Sequence, residues 1–227
     1  MYNSRGTQSF TSVGVHTFLI ETRPMSQSLS NPDSVSWFIP RDDSSDFEAN
    51  MSARDHEWLT AHNVRRKRYH EEFGRTYVPL KWSPKLADAA KEYAIELLSD
   101  CDYEGILHEQ NVGEGENLAK NDGEGSWGDM YPADSILSRW VEREIGKGNP
   151  GNAHMTQVLW RASNYVGCGE SVKPHGEGYC RIQVCRYARP GNCDMKSYDA
   201  SIGNNWMIPM LMAESKCGPL CAPEGCF

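Results

Sequence analysis

Eight cysteines constrain this chain of 227 residues more than any other feature: Cys101, Cys168, Cys180, Cys185, Cys193, Cys217, Cys221 and Cys226. Their number is even and all but Cys101 lie in the second half. No two stand in the close C-x2-C spacing of a zinc site, so the pattern reads as disulfides formed in an oxidising compartment. Cys217-Gly218-Pro219-Leu220-Cys221 has three residues between its cysteines where a dithiol redox motif has two, which makes it structural as well. The staples supplement a core, because 39% apolar residues are enough to build one of ordinary size. The length allows one large domain with tails or two small ones.

Charge removes some functions. A formal net charge of -8 argues against a general nucleic-acid binder, which needs a basic face to displace counterions from phosphates. The basic run Arg65-Arg66-Lys67-Arg68 is followed within a turn by Glu71 and Glu72, so it reads as the solvated face of a helix. No stretch reaches the roughly 20 apolar residues that span a bilayer, so no transmembrane segment is expected. Phe18-Leu19-Ile20 is too short a run for the apolar centre of an export signal, whereas the sequon Asn50-Met51-Ser52 is compatible with secretion.

Residues 1–51 are rich in Ser, Asp, Asn and Pro and lack a sustained period, which predicts a flexible extension. A first helix begins near Ala53, with Trp58, Leu59, His62, Tyr69 and Phe73 sharing one side, and ends by Gly74. A second has Ser83 as N-cap and Pro84 at the first helical position. Leu86, Ala89, Ala90, Tyr93, Ala94, Leu97 and Leu98 follow at three- and four-residue spacing. A third is predicted from Ala133 to Ile145, with Ile136, Leu137, Trp140 and Val141 on its buried stripe. The Gly- and Asn-rich residues 111–130 predict loop. Tyr165–Ser171 and Tyr179–Tyr187 alternate as half-buried strands do, and residues 197–227 form a Cys-rich, stapled tail. Helices first and strands later point to an α+β fold, a sheet covered by segregated helices.

The third helix carries the first chemical clue. At about 100° per residue Glu144 falls at the centre of its apolar stripe, while Glu142 points nearly the opposite way. An inward carboxylate is costly unless paired, protonated or metal-bound, so Glu144 needs a partner. Either it faces a polar cleft, with His108, His154 and Glu116 as possible companions, or it is a helix-end Glu paired with a surface Arg. No HExxH helix, G-x-S-x-G turn or phosphate-binding Lys-Ser/Thr loop is present.

Five ordered stretches resemble the CAP superfamily, the cysteine-rich secretory, antigen 5 and pathogenesis-related-1 proteins with their SCP domain. They are Leu59-Thr60-Ala61-His62-Asn63-Val64-Arg65; Leu80-Lys81-Trp82 through Leu86; Gly115-Glu116-Asn117-Leu118-Ala119; His154-Met155-Thr156-Gln157-Val158-Leu159-Trp160 with Tyr165-Val166-Gly167-Cys168-Gly169; and Cys185-Arg186-Tyr187-Ala188-Arg189-Pro190-Gly191-Asn192. The resemblance places a CAP domain at residues 52–196 and implies a three-layer α-β-α sandwich. Two histidines and two glutamates line its solvent-accessible cleft, by position His108, Glu116, Glu144 and His154. The family's third-helix Glu usually lies three residues after the Trp, where this chain has Arg143; Glu144 lies four after Trp140. The resemblance also implies disulfides Cys101–Cys180 and Cys168–Cys185, with Cys193 pairing into the tail. It further implies a secreted, extracellular protein, non-enzymatic or weakly enzymatic, that binds a lipid, a sterol or an extracellular protein partner. His108 and His154 would be metal ligands, and two neutral imidazoles suit Zn²⁺ better than Ca²⁺. Two other readings use the same residues: a metal-dependent hydrolase in which Glu116 or Glu144 activates water, and a structural interaction module whose cleft is only a satisfied hydrogen-bond network.

Overall fold

A computed structural model describes residues 51–110, 112–123 and 131–192. The expectations for residues 1–50, Asn50 of the sequon included, and for Cys193, Cys217, Cys221 and Cys226 lie outside the described residues. In chain order the elements are α1 (Ala53–Glu72), β1 (Lys81–Trp82), α2 (Pro84–Glu96), a 3-10 helix (Leu97–Asp102), β2 (Gly115–Gly123), α3 (Ala133–Trp140), α4 (Ala153–Leu159), β3 (Tyr165–His175) and β4 (Gly178–Ala188).

Local chemistry sets the helix starts. Ser52 accepts from the Asp55 N–H while the Asp55 carboxylate takes the Ser52 N–H, a reciprocal capping box that opens α1. Ser83 caps α2 through the Leu86 N–H, and Pro84 fills a position whose N–H would have had no helical partner.

The sheet runs β1-β3-β4-β2, with β4 antiparallel to both neighbours and β1 parallel to β3. Alternation along β4 divides the interior. Cys180, Ile182 and Val184 pack with Ala90, Ala94, Leu97 and Leu118 beneath α2, whereas Cys185 and Tyr187 pack with Trp58, Ile136, Trp140 and Met155 beneath α1, α3 and α4. Helices therefore cover both faces, and the fold is the three-layer α-β-α sandwich. Glycine lets α2 settle onto the sheet: a Cβ at Gly167 or Gly169 would stand 2.2 Å from the backbone nitrogen of Ala87 or Lys91.

Four local expectations are corrected. Gly115–Gly123 is a strand rather than loop, because its full ladder with β4 supplies what its Gly, Asn and Asp content does not. β4 is buried on both faces rather than half-buried, since Arg181, Gln183 and Arg186 are polar yet lie inside. The third helix stops at Trp140 and continues to Gly146 as turns. The basic run is only half solvated. Lys67 and Arg68 are exposed and pair with Glu71 and Glu72, but Arg65 and Arg66 are buried. Arg65 binds Asp134 (2.8 Å) and Glu142 (3.0 Å) and so ties α1 to α3.

Among the described residues there are two disulfides: Cys101–Cys180, across 79 residues, ties the 3-10 helix to β4, and Cys168–Cys185, across 17 residues, staples the paired strands β3 and β4 within the sheet. The longer loop restricts the unfolded chain more. Removing Cys101–Cys180 by double alanine substitution is therefore expected to cost about 4 kcal/mol, and removing Cys168–Cys185 about 3 kcal/mol. Urea midpoints of the two variants would check that order.

Candidate histidine–glutamate cleft

Two histidine–carboxylate pairs stand out. Glu144 Oε1 lies 2.7 Å from His154 Nδ1, and its Oε2 accepts the Met155 N–H at 3.0 Å. Glu116 Oε1 lies 2.8 Å from His108 Nδ1 and also accepts the Glu109 N–H at 3.2 Å. In both pairs the carboxylate is the buried partner, with side chains 10% and 5% exposed for Glu144 and Glu116, while His154 and His108 are 36% and 58% exposed.

The elements explain the placement. Glu144 turns inward although α3 has already ended, because the first turn of α4 offers it an N–H and an imidazole. Glu142, not Glu144, makes the pairing with arginine. His154 is the second residue of α4, and its ring stacks on Trp140 at 6.1 Å and 10°. The far end of α4 is held by α1: Arg66 donates to the carbonyls of Val158 (2.9 Å) and Trp160 (2.8 Å), and His70 Nε2 to Leu159 (3.0 Å). A seven-residue helix with little stability of its own is thereby fixed at both ends. The two pairs sit on neighbouring elements, since Asn117, beside Glu116 in β2, donates Nδ2–H to the His154 carbonyl at 3.1 Å.

An imidazole whose Nδ1–H donates to a carboxylate keeps its Nε2 lone pair facing away, ready to accept a proton or bind a metal. Both rings have this arrangement. Glu116 adds Oε2, a buried oxygen without a hydrogen-bond partner, 3.7 Å from Arg186 Nη2. The four groups do not form a tight preformed chelate. Among the described residues the trio of ligand atoms within 4.8 Å is His62, Cys168 and Cys185, whose sulfurs are bonded to each other and so are not metal-binding thiolates.

The chain matches the model of the cysteine-rich secretory protein family, CAP, over residues 59–187. It is a member of the CAP family. This CAP chain is 34% identical to pathogenesis-related protein 1A of Nicotiana tabacum over 144 residues, 60% of this chain and 75% of that protein. A CRISP/Allergen/PR-1 protein of Trittame loki is 30% identical over 124 residues, half of this chain and 30% of its own length. Among solved structures, that of BmVAL-1 aligns with a TM-score of 0.48 and 22% identity, covering 63% of this CAP chain and 80% of its own.

Sequence reasoning missed the residues behind the tetrad. Asn117 and Arg186 are found through strand register, which pairs Glu116 with Arg186 and Asn117 with Cys185 across the β2–β4 ladder. Nothing in residues 111–130 alone marks that pairing.

Proposed function

We propose that this CAP protein acts outside the cell as a non-enzymatic capture protein for a lipid, a sterol or a protein partner. In this reading its cleft takes a divalent transition metal, Zn²⁺ first, through Nε2 of His108 and His154. The observation that carries the metal reading is the pair of buried carboxylates, each holding by Nδ1 a more accessible imidazole, that of His108 exposed and that of His154 half-buried. The donor set fits: two neutral nitrogens are borderline-soft ligands, and too few oxygens converge for Ca²⁺. Bound there, the ion would supply a Lewis-acid centre, while Glu144 and Glu116 orient the ligand rings. With two protein nitrogens the affinity is modest. The missing third strong ligand weighs against a hydrolase.

Calorimetric titration of Zn²⁺ into the oxidised protein at neutral pH tests the reading. The native chain is expected to bind, and the His108→Ala/His154→Ala variant to lose at least tenfold in affinity. Equal heats from both proteins, or none from the native chain, would rule the metal cleft out.

A further inference from the structure

His108 lies between the 3-10 helix and β2, on a stretch with no helix or strand of its own. Its neighbours are nevertheless tied down on both sides. Before it, the Tyr93 hydroxyl of α2 donates to the carbonyl of Leu107 at 2.7 Å. After it, Glu109 gives its N–H to Glu116 Oε1 at 3.2 Å, and its carboxylate receives a hydrogen bond from Arg186 Nη2.

Arg186 is built into this corner. It faces Glu116 across the β2–β4 ladder. Its side chain is 6% exposed, with Nη2 3.7 Å from Glu116 Oε2 and Nη1 4.0 Å from Glu114. The guanidinium also lies over the Tyr93 ring, 5.7 Å from its centroid. One planar cation thus touches the carboxylate that orients His108, the carboxylate next to His108 in sequence and the ring that holds Leu107.

We infer that Arg186 is a positioning residue for the cleft: together with Tyr93 it clamps Leu107 and Glu109, and so keeps the His108 imidazole on Glu116 with Nε2 outward. The inference rests on the metal reading above for its consequence, though not for the clamp itself. Without the clamp, the exposed loop would have to be ordered when the ion binds, and that entropy would be lost from the affinity. A lysine could supply the charge but not the planar fork that reaches several partners at once.

Electrostatics makes the test sharp. Arg186→Gln removes a positive charge beside Glu116, which by Coulomb attraction alone would tighten binding of a cation. Positioning predicts the reverse. In Zn²⁺ titrations Arg186→Gln is expected to weaken binding about tenfold, as loss of an outer partner of a ligand does. Tyr93→Phe, which changes no charge and removes one hydroxyl, is expected to weaken it several-fold, and Arg186→Lys to restore part of the loss. In the metal-free protein, amide hydrogen exchange at Leu107, His108 and Glu109 should speed up in Arg186→Gln while the β3 and β4 amides keep their protection. Tighter or unchanged Zn²⁺ binding in Arg186→Gln would overturn the positioning role, and so would unchanged exchange around His108. A native chain that takes no Zn²⁺ would sink the metal reading alone, and the exchange measurement would still decide the clamp.

Discussion

Arg66→Met is expected to lower the unfolding free energy by about 5 kcal/mol, because it strips hydrogen bonds from three buried carbonyls and one half-buried one at roughly 1–3 kcal/mol each. The side chain is fully buried. It donates to the carbonyls of Val78 (3.0 Å), Val158 (2.9 Å), Trp160 (2.8 Å) and Ser163 (3.2 Å). Carbonyl dipoles, two of them at the open C-terminal end of α4, solvate the charge in place of water. Methionine matches the volume and none of the donors. Lys67→Met, one residue on and exposed, is expected to change stability by no more than about 0.5 kcal/mol. Urea unfolding followed by fluorescence would compare the two, with Arg66→Lys as a milder variant that keeps the charge but not the fork. A loss below about 1 kcal/mol for Arg66→Met would show that water can replace the guanidinium in that interior. Because α4 carries His154, the same substitution should also weaken Zn²⁺ binding in whatever fraction stays folded.

Arg66 also shows where sequence reasoning stops. Within the run Arg65–Arg68 the local signal is charge facing Glu71 and Glu72, and it is right for Lys67 and Arg68. The carbonyls that take in Arg66 come from residues 78 and 158–163, and no window along the chain brings them together. The same limit hid β2. Its glycines, asparagines and aspartate have low strand preference, and only the partner strand some 65 residues further on makes a ladder of them. In contrast the start of α2 is legible to the residue, because Ser83, Pro84 and the Leu86, Ala90, Ala94 stripe are decided within one helix, although Leu97 and Leu98, read as part of the same stripe, lie in the 3-10 helix.

Periodicity on a continuous helix puts Glu144 inward and leaves open whether it meets a polar cleft or a surface Arg; the carboxylate is buried, but by a different route. The helix ends at Trp140, and the carboxylate is drawn in by the Met155 N–H and His154 at the start of α4. What the periodicity captured was the cost of an unpartnered inward carboxylate, which holds whatever the local backbone does. The pairings of Cys101 with Cys180 and Cys168 with Cys185 came from family resemblance, since spacing alone leaves the connectivity of eight cysteines open. Arg186 lay within a resembling stretch, yet its meaning depends on facing Glu116 across the sheet.

Acid should destabilise the fold before its carboxylates titrate, through two histidines outside the cleft. His62 is fully buried, with Nδ1 donating to the Trp58 carbonyl at 2.8 Å, which leaves Nε2 to accept the Tyr187 hydroxyl at 2.9 Å. His70 donates Nε2–H to the Leu159 carbonyl at 3.0 Å and accepts the Val78 N–H at Nδ1, 3.3 Å. Each ring has one donor and one acceptor role filled, so a second proton would face a hydrogen already there. Burial first, and for both the charge of Arg66 as well, pushes His62 down to about 3 and His70 to about 4. Both values lie below the unfolded value near 6.5, so below that pH the unfolded chain binds protons that the fold refuses. Stability is then complete above about pH 6.5 and falls as pH drops toward the folded values, by about 1.4 kcal/mol per pH unit for each histidine. From pH 7.5 to 4.5 the two together should cost about 5 kcal/mol, comparable to the whole stability of a small domain. Urea midpoints across that range would measure the slope, and His70→Gln should remove about half of it. A flat profile between pH 6 and 5, where ordinary carboxylates stay ionised, would mean that both rings accept protons in the native state.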